Sequence, residues 1–254
     1  MRLANISPLK VAEYLKTNDT ILFAIGSVEN HGKHMPLGTD YLIPDEILRR
    51  LEKRIDPGEI LIAPTLPYGS TDYFEGFAGT VSLGTELLTK LLERITDSYY
   101  EDGIRKFIIL NGHGGNTAAI DRVSLGLHKK GARCLCLNWW KMAGELNPAW
   151  AGGHGGAEET AGILAVDPDL VDAEHLSDGQ ELCGDYGEEF TVPGFHALRF
   201  KGATIQAARP VTRYSSNGWV GPDAPPEATK EWGEAMLDAM ADYLAELIPA
   251  VKRI

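Results

Sequence analysis

The chain has 254 residues, of which 44% are hydrophobic and 24% are charged, proportions that are typical of an ordinary globular protein. Its formal net charge of −12 argues against a nucleic-acid-binding surface, which needs basic stripes, and against binding to anionic membranes. No apolar run approaches the ~20 residues that span a bilayer, residues 1–10 contain no apolar signal core, and the three cysteines lack disulfide-framework spacing. We therefore expect a cytoplasmic protein with reduced thiols, no nucleic-acid partner and no membrane partner.

Short apolar strands alternate with helical patterns along the chain. The predicted strands are residues 20–25, 59–64, 105–111 and 132–138. The predicted helices are residues 44–55, 85–103, 116–131 and 228–248. Pro44 suits a first helical turn and Asn116 suits an N-cap. Because short apolar strands separated by helices are typical of a mostly parallel sheet covered on both faces, we predict a three-layer α/β/α fold and treat residues 1–254 as one domain.

Three loops gather chemically unusual residues. VENHGKHMPLGTD (28–40) follows the first predicted strand, and NGHGGN (111–116) follows the third. GHGGAEET (153–160) leads into a short helical pattern, within a Gly- and Pro-rich region (141–226) where we also expect long loops and a hairpin over residues 195–206. Because sites in open α/β sheets form beyond the carboxyl ends of the strands, we expect the three loops to meet in one pocket.

The residue types in these loops favour a transition-metal site. Glu29 and His31 are separated by one residue, so an extended backbone directs both side chains to the same side. Asp40 follows after a turn, and His113 comes from a neighbouring strand end. Imidazoles and carboxylates together suit Zn, Mn or Fe better than Ca or Mg, and this number of ligands suits two ions sharing a bridging carboxylate.

The Gly-rich segment around His113 has two other interpretations. A strand followed by NGHGGN and a helix is also typical of a phosphate-binding helix N-terminus. Gly-rich turns between strands and helices are, moreover, common for purely structural reasons. Spacing alone leaves the metal site, the phosphate nest and the structural turn open.

Taken together, the three loops resemble the motifs of the creatininase family of metal-dependent amidohydrolases. The family pattern E-[QN]-H-G-x-H-[LM]-P-x-x-T-D is matched by residues 29–40, N-G-H-x-x-N by residues 111–116, and H-x-G-x-x-E-T by residues 154–160. Residues 67–83 resemble a further family stretch, and the matches keep their order across residues 20–170. No single motif is specific, but the ordered set is.

The resemblance implies a binuclear site. Glu29 and His113 would bind one ion, His31 would bind the other, and Asp40 would bridge them. Zn, Mn and Fe are the expected metals, with one or two ions per chain.

The chain departs from creatininase itself at one ligand position. Creatininase carries a glutamate two residues after the histidine of the second motif, as a ligand of the second ion, whereas this chain has Gly115 there. Glu159 of the third motif is the predicted replacement. Glu158 stands beside it, and the sequence leaves the choice between the two open.

The residues around the substrate differ from creatininase as well. Trp140 and Trp150 match its substrate-flanking tryptophans, and we expect Tyr73 to line the pocket with them. Gly114 stands where creatininase has an aromatic residue, and Ala151 stands where it has an aspartate. We therefore expect a substrate other than creatinine.

The resemblance implies hydrolysis of a C–N amide bond in a small substrate, cyclic in some relatives, by attack of a metal-bound water. His154 or Glu159 would carry the proton to the leaving nitrogen. A formylaminopyrimidine-nucleotide deformylase and a peptidase of a redox-peptide pathway are the alternatives within the family, and a non-catalytic metal- or phosphate-binding protein is the alternative of another class. The family also implies a homo-oligomer, often a hexamer. His34 has no predicted role, and His196 is predicted to lie on the surface.

Overall fold

The computed structural model of the chain describes residues 1–183 and 186–254. Its central sheet consists of β1 (Thr20–Ile25), β2 (Leu61–Ile62), β3 (Lys106–Asn111) and β4 (Arg133–Asn138). The helices are α1 (Pro8–Leu15), α2 (Thr39–Leu51), α3 (Gly84–Glu101), α4 (Thr117–Lys129), α5 (Trp139–Leu146), α6 (Ala157–Val166) and α7 (Lys230–Lys252). Each predicted strand and helix is present, although β2 is shorter than predicted and α2 begins five residues earlier.

The central sheet is wholly parallel, in the order β2-β1-β3-β4. Its strands are apolar on both faces because helices cover both. In β1, Leu22 and Ala24 pack on one side, while Ile21, Phe23 and Ile25 pack on the other. α2, α5, α6 and α7 contribute to the first core cluster, and α1, α3 and α4 contribute to the second. The prediction of a three-layer α/β/α fold is confirmed.

The register of the sheet brings two of the motif loops to one edge. Ile25 at the end of β1 pairs with Asn111 at the end of β3, and Asn111 in turn pairs with Asn138 at the end of β4. The segments that follow β1 and β3 therefore leave the sheet side by side, as parallel pairing requires.

The start of α2 differs from the prediction in a way that matters for the site. The helix begins at Thr39, so Asp40 lies in its first turn and Pro44 lies inside it rather than at its first turn. Because proline has no N–H, Pro44 cannot donate the helical hydrogen bond to the carbonyl of Asp40. Gly26 and Gly112 approach this carbonyl so closely that a β-carbon would lie 2.3 Å and 1.8 Å from its oxygen, respectively.

Asn116 is not the side-chain cap that the sequence suggests. Residues Gly114–Asn116 already form a 3-10 turn, and the Asn116 side chain makes no capping hydrogen bond to α4. Its amide nitrogen donates to the Gly26 carbonyl at 3.0 Å, and its oxygen accepts from the Ser70 backbone N–H at 3.0 Å. The side chain thereby ties three loops together at the edge of the sheet.

The predicted hairpin is present and has a third strand. β5 (Thr191–Gly194), β6 (Ala197–Phe200) and β7 (Ala203–Gln206) form a separate antiparallel sheet in that order. Phe195 and His196 form the turn between β5 and β6. Among residues 1–183 and 186–254, no helix combines the length and apolarity needed to cross a membrane.

Candidate metal centre

The structure brings together the side chains predicted to bind metal. They come from the loop after β1, the start of α2, the end of β3 and the first turn of α6. All of them are buried: Glu29, His31, Asp40, His113 and Glu159. Buried charges are costly unless they are paired or bind a metal, so the burial of this set needs an explanation.

Asp40 lies between two imidazoles. Its Oδ1 is 3.0 Å from Nε2 of His31, and its Oδ2 is 3.1 Å from Nδ1 of His113. Ser27 donates a hydrogen bond from its hydroxyl to Oδ2. Each oxygen of one carboxylate thus faces a different histidine, which is the arrangement expected of a bridging ligand.

Two groups of three potential ligands share Asp40. One contains Glu29, Asp40 and His113, and the other contains His31, Asp40 and Glu159; within each group the ligand atoms lie within 4.8 Å of one another. Glu29 is completely buried, and its Oε1 is 3.1 Å from His113 Nδ1. Apart from this close approach of the His113 ring to Oε1, neither Glu29 oxygen has a hydrogen-bond partner among the described residues.

Glu159, rather than Glu158, faces this centre. Its Oε2 is 3.7 Å from His31 Nε2 and accepts a hydrogen bond from the Gly155 N–H at 2.8 Å. Glu158 belongs to neither of these groups, nor to the third group that the described residues form, which contains Glu29, His31 and His154. Its buried carboxyl packs beside Gly152, and burial, with help from Glu159 and Asp223, raises its pKa to about 9.

Gly115 has no room for a side chain. A β-carbon there would lie 2.0 Å from the Ser70 carbonyl oxygen and 2.5 Å from Nε2 of His113. The glutamate that creatininase carries at the position of Gly115 therefore does not fit this backbone. The carboxylate of Glu159, in the first turn of α6, lies beside His31 instead.

A backbone carbonyl orients each histidine that faces the centre. A ring nitrogen that donates to a carbonyl leaves the other nitrogen with its lone pair directed at the carboxylates, which fixes the tautomer suited to metal binding. The contacts are His31 Nδ1 with Glu29 O at 3.1 Å, His113 Nε2 with Ser70 O at 2.9 Å, and His154 Nε2 with Asn30 O at 2.8 Å.

The charges in the centre strongly perturb its pKa values. Burial lowers the pKa of His31, but Asp40 and Glu159 more than compensate and raise it to about 10. Burial raises the pKa of Glu159 to about 7, although His31 opposes the change. The pKa of His154 is well below its usual range because burial and His31 both disfavour a charged ring. The carboxylates therefore favour positive charge on the groups beside them, and the His154 ring stays neutral.

These residues fit a pair of divalent ions. The donor set is mixed carboxylate and imidazole, which suits Zn, Mn and Fe. The His113 contact with Oε1 aside, the oxygens of the fully buried Glu29 lack a hydrogen-bond partner within the described part of the chain, as expected of atoms whose partner is a cation. The fit rests on this donor chemistry together with the shared position of Asp40.

A cavity of about 760 Å³ opens onto the centre. Three of the predicted substrate-contacting residues, Tyr73, Gly114 and Trp140, line it. Gly114 leaves space beside Trp140, whose ring would be 3.8 Å from a β-carbon at this position. Trp150 is placed elsewhere: it lies in the 3-10 turn Pro148–Trp150 and packs against the core cluster that includes α5 and α7.

An aromatic wall, made of Tyr73, Phe74, Phe195 and His196, bounds the cavity on the side of the β5–β6 turn. His196 meets the Tyr73 ring edge-on at a centroid distance of 4.5 Å, and Phe195 lies 6.0 Å from Phe74. Phe74 packs 4.1 Å from His154, whose ring stacks on His31 at 4.2 Å.

The sequence did not point to most of this wall. His196 is exposed as predicted, yet it also lines the cavity. Phe74 lies in the family-like stretch 67–83, but that resemblance assigns it no role, and nothing in the local sequence distinguishes Phe195 and His196 from packing or surface residues. Only the three-dimensional placement of the hairpin reveals their contact with the site.

His34 contacts the helix that carries Glu159. It is buried, and its Nε2 lies 3.0 Å from the Thr160 hydroxyl in α6. Burial, aided by His31, lowers the pKa of His34 to about 4. The neutral ring therefore links the first motif loop to the helix that carries Glu159.

The fold and the site define an α/β protein with two buried carboxylate–imidazole ligand groups that share one aspartate. The model of the creatininase family, described as creatinine amidohydrolase, matches residues 4–248 of the chain. The chain therefore belongs to the creatininase family.

Two curated relatives illustrate the range of the family. The mycofactocin precursor peptide peptidase of Mycobacterium tuberculosis (strain CDC 1551 / Oshkosh) is 34% identical over 172 residues, which cover 64% of each chain. The creatinine amidohydrolase of Pseudomonas putida is 29% identical over 180 residues, covering 62% of this chain and 68% of the relative. The match thus spans a little under two thirds of the length of the peptidase.

Solved structures share the complete fold. A creatinine amidohydrolase (creatininase) crystal structure superimposes with a TM-score of 0.76 at 24% identity, covering 99% of this chain and 97% of the other. Creatininase structures described as an Mn form and as a Zn–Zn type of a mutant superimpose with TM-scores of 0.73 and 0.74 at 24% identity, covering 99% of this chain and 98% of the other in each case.

Proposed function

We propose that this chain is a metal-dependent amidohydrolase that cleaves a C–N amide bond in a small substrate. Glu29 and His113 bind one divalent ion, His31 and Glu159 bind a second, and Asp40 bridges the two; Zn, Mn and Fe are the candidate metals. The observation that carries the proposal is the position of Asp40, whose two carboxylate oxygens face two different histidines.

Divalent ions held in this way polarise a carbonyl group and lower the pKa of a bound water toward neutrality. His154 is our first candidate for moving the proton. Its Nε2–H is held by the Asn30 carbonyl, and its Nδ1 is 3.5 Å from Glu29 Oε1. The geometry of the ring, with its Nδ1 directed at the centre, makes it the first candidate to carry a proton to the leaving nitrogen. Glu159 is the second candidate for this role.

The rest of the cavity holds the substrate. Trp140 and Gly114 form one part of its lining, and Tyr73 belongs to the aromatic wall. A flat or cyclic amide fits between aromatic surfaces of this kind because ring stacking is favourable. Trp150 contributes through the packing of the turn that follows α5 rather than by lining the cavity.

The charge of the cavity disfavours substrates that carry a phosphate. Within the described chain, the lining residues include no lysine or arginine. Its carboxylates are Asp40, Asp72, Asp121, Glu158 and Glu159. Phosphate sites normally use positive side chains or unopposed N–H groups, so this composition supports an uncharged or cationic amide over a nucleotide substrate or a phosphate nest.

Elemental analysis of the purified protein tests the proposal. One to two equivalents of Zn, Mn or Fe per chain are expected, and chelation should abolish hydrolysis, with recovery when metal is returned. A screen of lactams, formamides, short peptides and creatinine-like rings then identifies the substrate. A protein that is purified without metal and binds nucleotides tightly would instead be a phosphate-binding member of the fold.

Two further properties belong to the proposal. The chain acts as one hydrolase domain in the cytoplasm, which its free cysteines support. It also assembles as a homo-oligomer, with a hexamer as the leading candidate, and light scattering coupled to size-exclusion chromatography measures the state directly.

A further inference from the structure

A segment far along the chain, residues 215–223, packs on the loop that precedes α6. The backbone N–H groups of Val220 and Gly221 both donate to the His154 carbonyl, at 3.1 and 2.7 Å. Trp219 lies against Gly155, where a β-carbon would be 3.2 Å from the tryptophan ring. Contacts with residues 215–223 therefore fix the backbone that carries His154 and Glu159.

The last residue of this segment, Asp223, lies at the N-terminus of α6. Its Oδ2 accepts a hydrogen bond from the Glu158 backbone N–H at 2.8 Å. The residue at the N-cap of the helix is Gly156, which has no side chain with which to cap it. The carboxylate of Asp223 takes over that role from a distant part of the sequence, and a negative group is favoured at this end of a helix.

Two glycines make room for this carboxylate. A β-carbon on Gly152 would lie 2.4 Å from Asp223 Oδ2, and one on Gly156 would lie 2.2 Å from Oδ1. The φ of Gly156 is −92°, a value open to any residue, so space rather than backbone conformation requires a glycine there. Gly156 of the third motif and Gly152 just before that motif thus leave space for the Asp223 carboxylate.

We propose that Asp223 is a positioning residue for the second ion of the metal centre. The inference rests on the proposed function, because it assigns Glu159 to that ion. Asp223 fixes the first turn of α6, and that turn fixes Glu159, whose Oε2 already accepts from the Gly155 N–H. Without the distant cap, the turn frays and Glu159 no longer stays within reach of His31 and Asp40.

The test uses the zinc-loaded full chain and measures zinc release to a chromophoric chelator. In Asp223→Ala, one equivalent should leave roughly 10- to 100-fold faster than in the parent, the range found when the residues supporting metal ligands are lost. The other equivalent, held by Glu29, Asp40 and His113, should leave at the parental rate. Asp223→Asn, which keeps an oxygen acceptor but loses the charge, should show a smaller acceleration of the same equivalent.

Asp167 provides a matched control at the opposite end of α6. It accepts a hydrogen bond from the Asp169 N–H at 3.0 Å, and it is exposed and remote from the centre. Asp167→Ala should lower the melting temperature without changing zinc release. Gly156→Ala, which displaces the Asp223 carboxylate by another route, should reproduce the Asp223→Ala release profile.

The outcomes separate this inference from the proposed function. If the parent chain takes up no zinc, the proposed function itself fails. If the parent holds two equivalents and all Asp223 and Gly156 variants release both at parental rates, Asp223 is only a structural cap and the inference is overturned. Should Asp223→Ala not fold, Asp223→Asn and Gly156→Ala decide the question by the same measurement.

Discussion

Replacing Gly115 by glutamate tests how this chain builds its second ligand group. Creatininase carries a glutamate at the matching point, so comparison of motifs alone suggests that Gly115→Glu would add a ligand. The structure predicts the opposite. The β-carbon would lie 2.0 Å from the Ser70 carbonyl oxygen and 2.5 Å from Nε2 of His113, and these two atoms form the 2.9 Å hydrogen bond that orients the ring.

The size of the effect follows from that geometry. An ordinary contact begins at 3.4 Å, so the backbone at 115 or at Ser70 must move by more than an ångström. Overpacking of this kind costs about 1–3 kcal/mol, and loss of the His113 hydrogen bond adds about 1 kcal/mol. For a chain of this length, the melting temperature should fall by roughly 5–15 °C. Metal affinity at His113 should fall about 10- to 100-fold as its orienting partner is lost.

Calorimetry of the metal-loaded protein and zinc content after dialysis measure both effects. Gly126→Glu is the matched control, because it adds the same side chain in α4, where a β-carbon meets nothing within 4 Å. Gly115→Ala should show most of the loss, since the clash arises at the β-carbon. A Gly115→Glu protein that melts at the parental temperature and binds zinc more tightly would refute the reasoning.

Other substitutions probe separate parts of the site. Asp40→Asn should reduce bound zinc from two equivalents to at most one after dialysis, because it weakens both ligand groups. The control Asp45→Asn, on the same helix, should retain both equivalents. Full metal content in Asp40→Asn would exclude a bridging role. Phe195→Ala should raise KM for the substrate found by screening about 2- to 10-fold, which corresponds to the free energy of one aromatic contact, and should leave the zinc content unchanged. An unaltered KM would show that the aromatic wall takes no part in substrate binding. Burial, with Cys134 and Asp121, raises the pKa of Cys136 to about 12, so its thiolate fraction at pH 8 is about one in ten thousand. Iodoacetamide should therefore label Cys136 far more slowly in the folded chain than in urea, as measured by mass spectrometry. Equal labelling rates in the two conditions would contradict the burial.

The fold was predictable because the apolar runs and helical periods of this chain agree with one another. Residues 21–25 are apolar without alternation, which indicates a strand covered on both faces, and the two core clusters divide their side chains in that way. The helix boundaries were harder to predict. Pro44 predicted a helix start, but α2 begins five residues earlier, and the Asp40 carbonyl that Pro44 cannot bond lies against Gly26 and Gly112.

The convergence of Glu29 and His31 was predictable from their spacing, and that of the later candidate ligands only in part. Glu29 and His31 lie two positions apart in extended chain, so they reach the same pocket. Glu158 and Glu159 are neighbours on a helix, and their side chains point about 100° apart. Which of them faces the centre depends on how α6 docks, and no local pattern encodes that rotation. The contact of Phe195 with Phe74 depends in the same way on where a separate sheet is placed.

The antiparallel sheet of β5, β6 and β7 shares no strand pairing with the central sheet in the described chain, yet its turn forms part of the cavity wall. Under the proposed function, the groups suited to bond cleavage stand on α2, on α6 and on the loops that follow β1 and β3, while part of the substrate-contacting surface stands on a separate hairpin. Chemistry and selectivity can therefore change separately during evolution. A new β5–β6 turn would then alter which amide the proposed hydrolase accepts and leave every proposed metal ligand in place, which gives protein engineers a short, exchangeable segment with which to change its substrate.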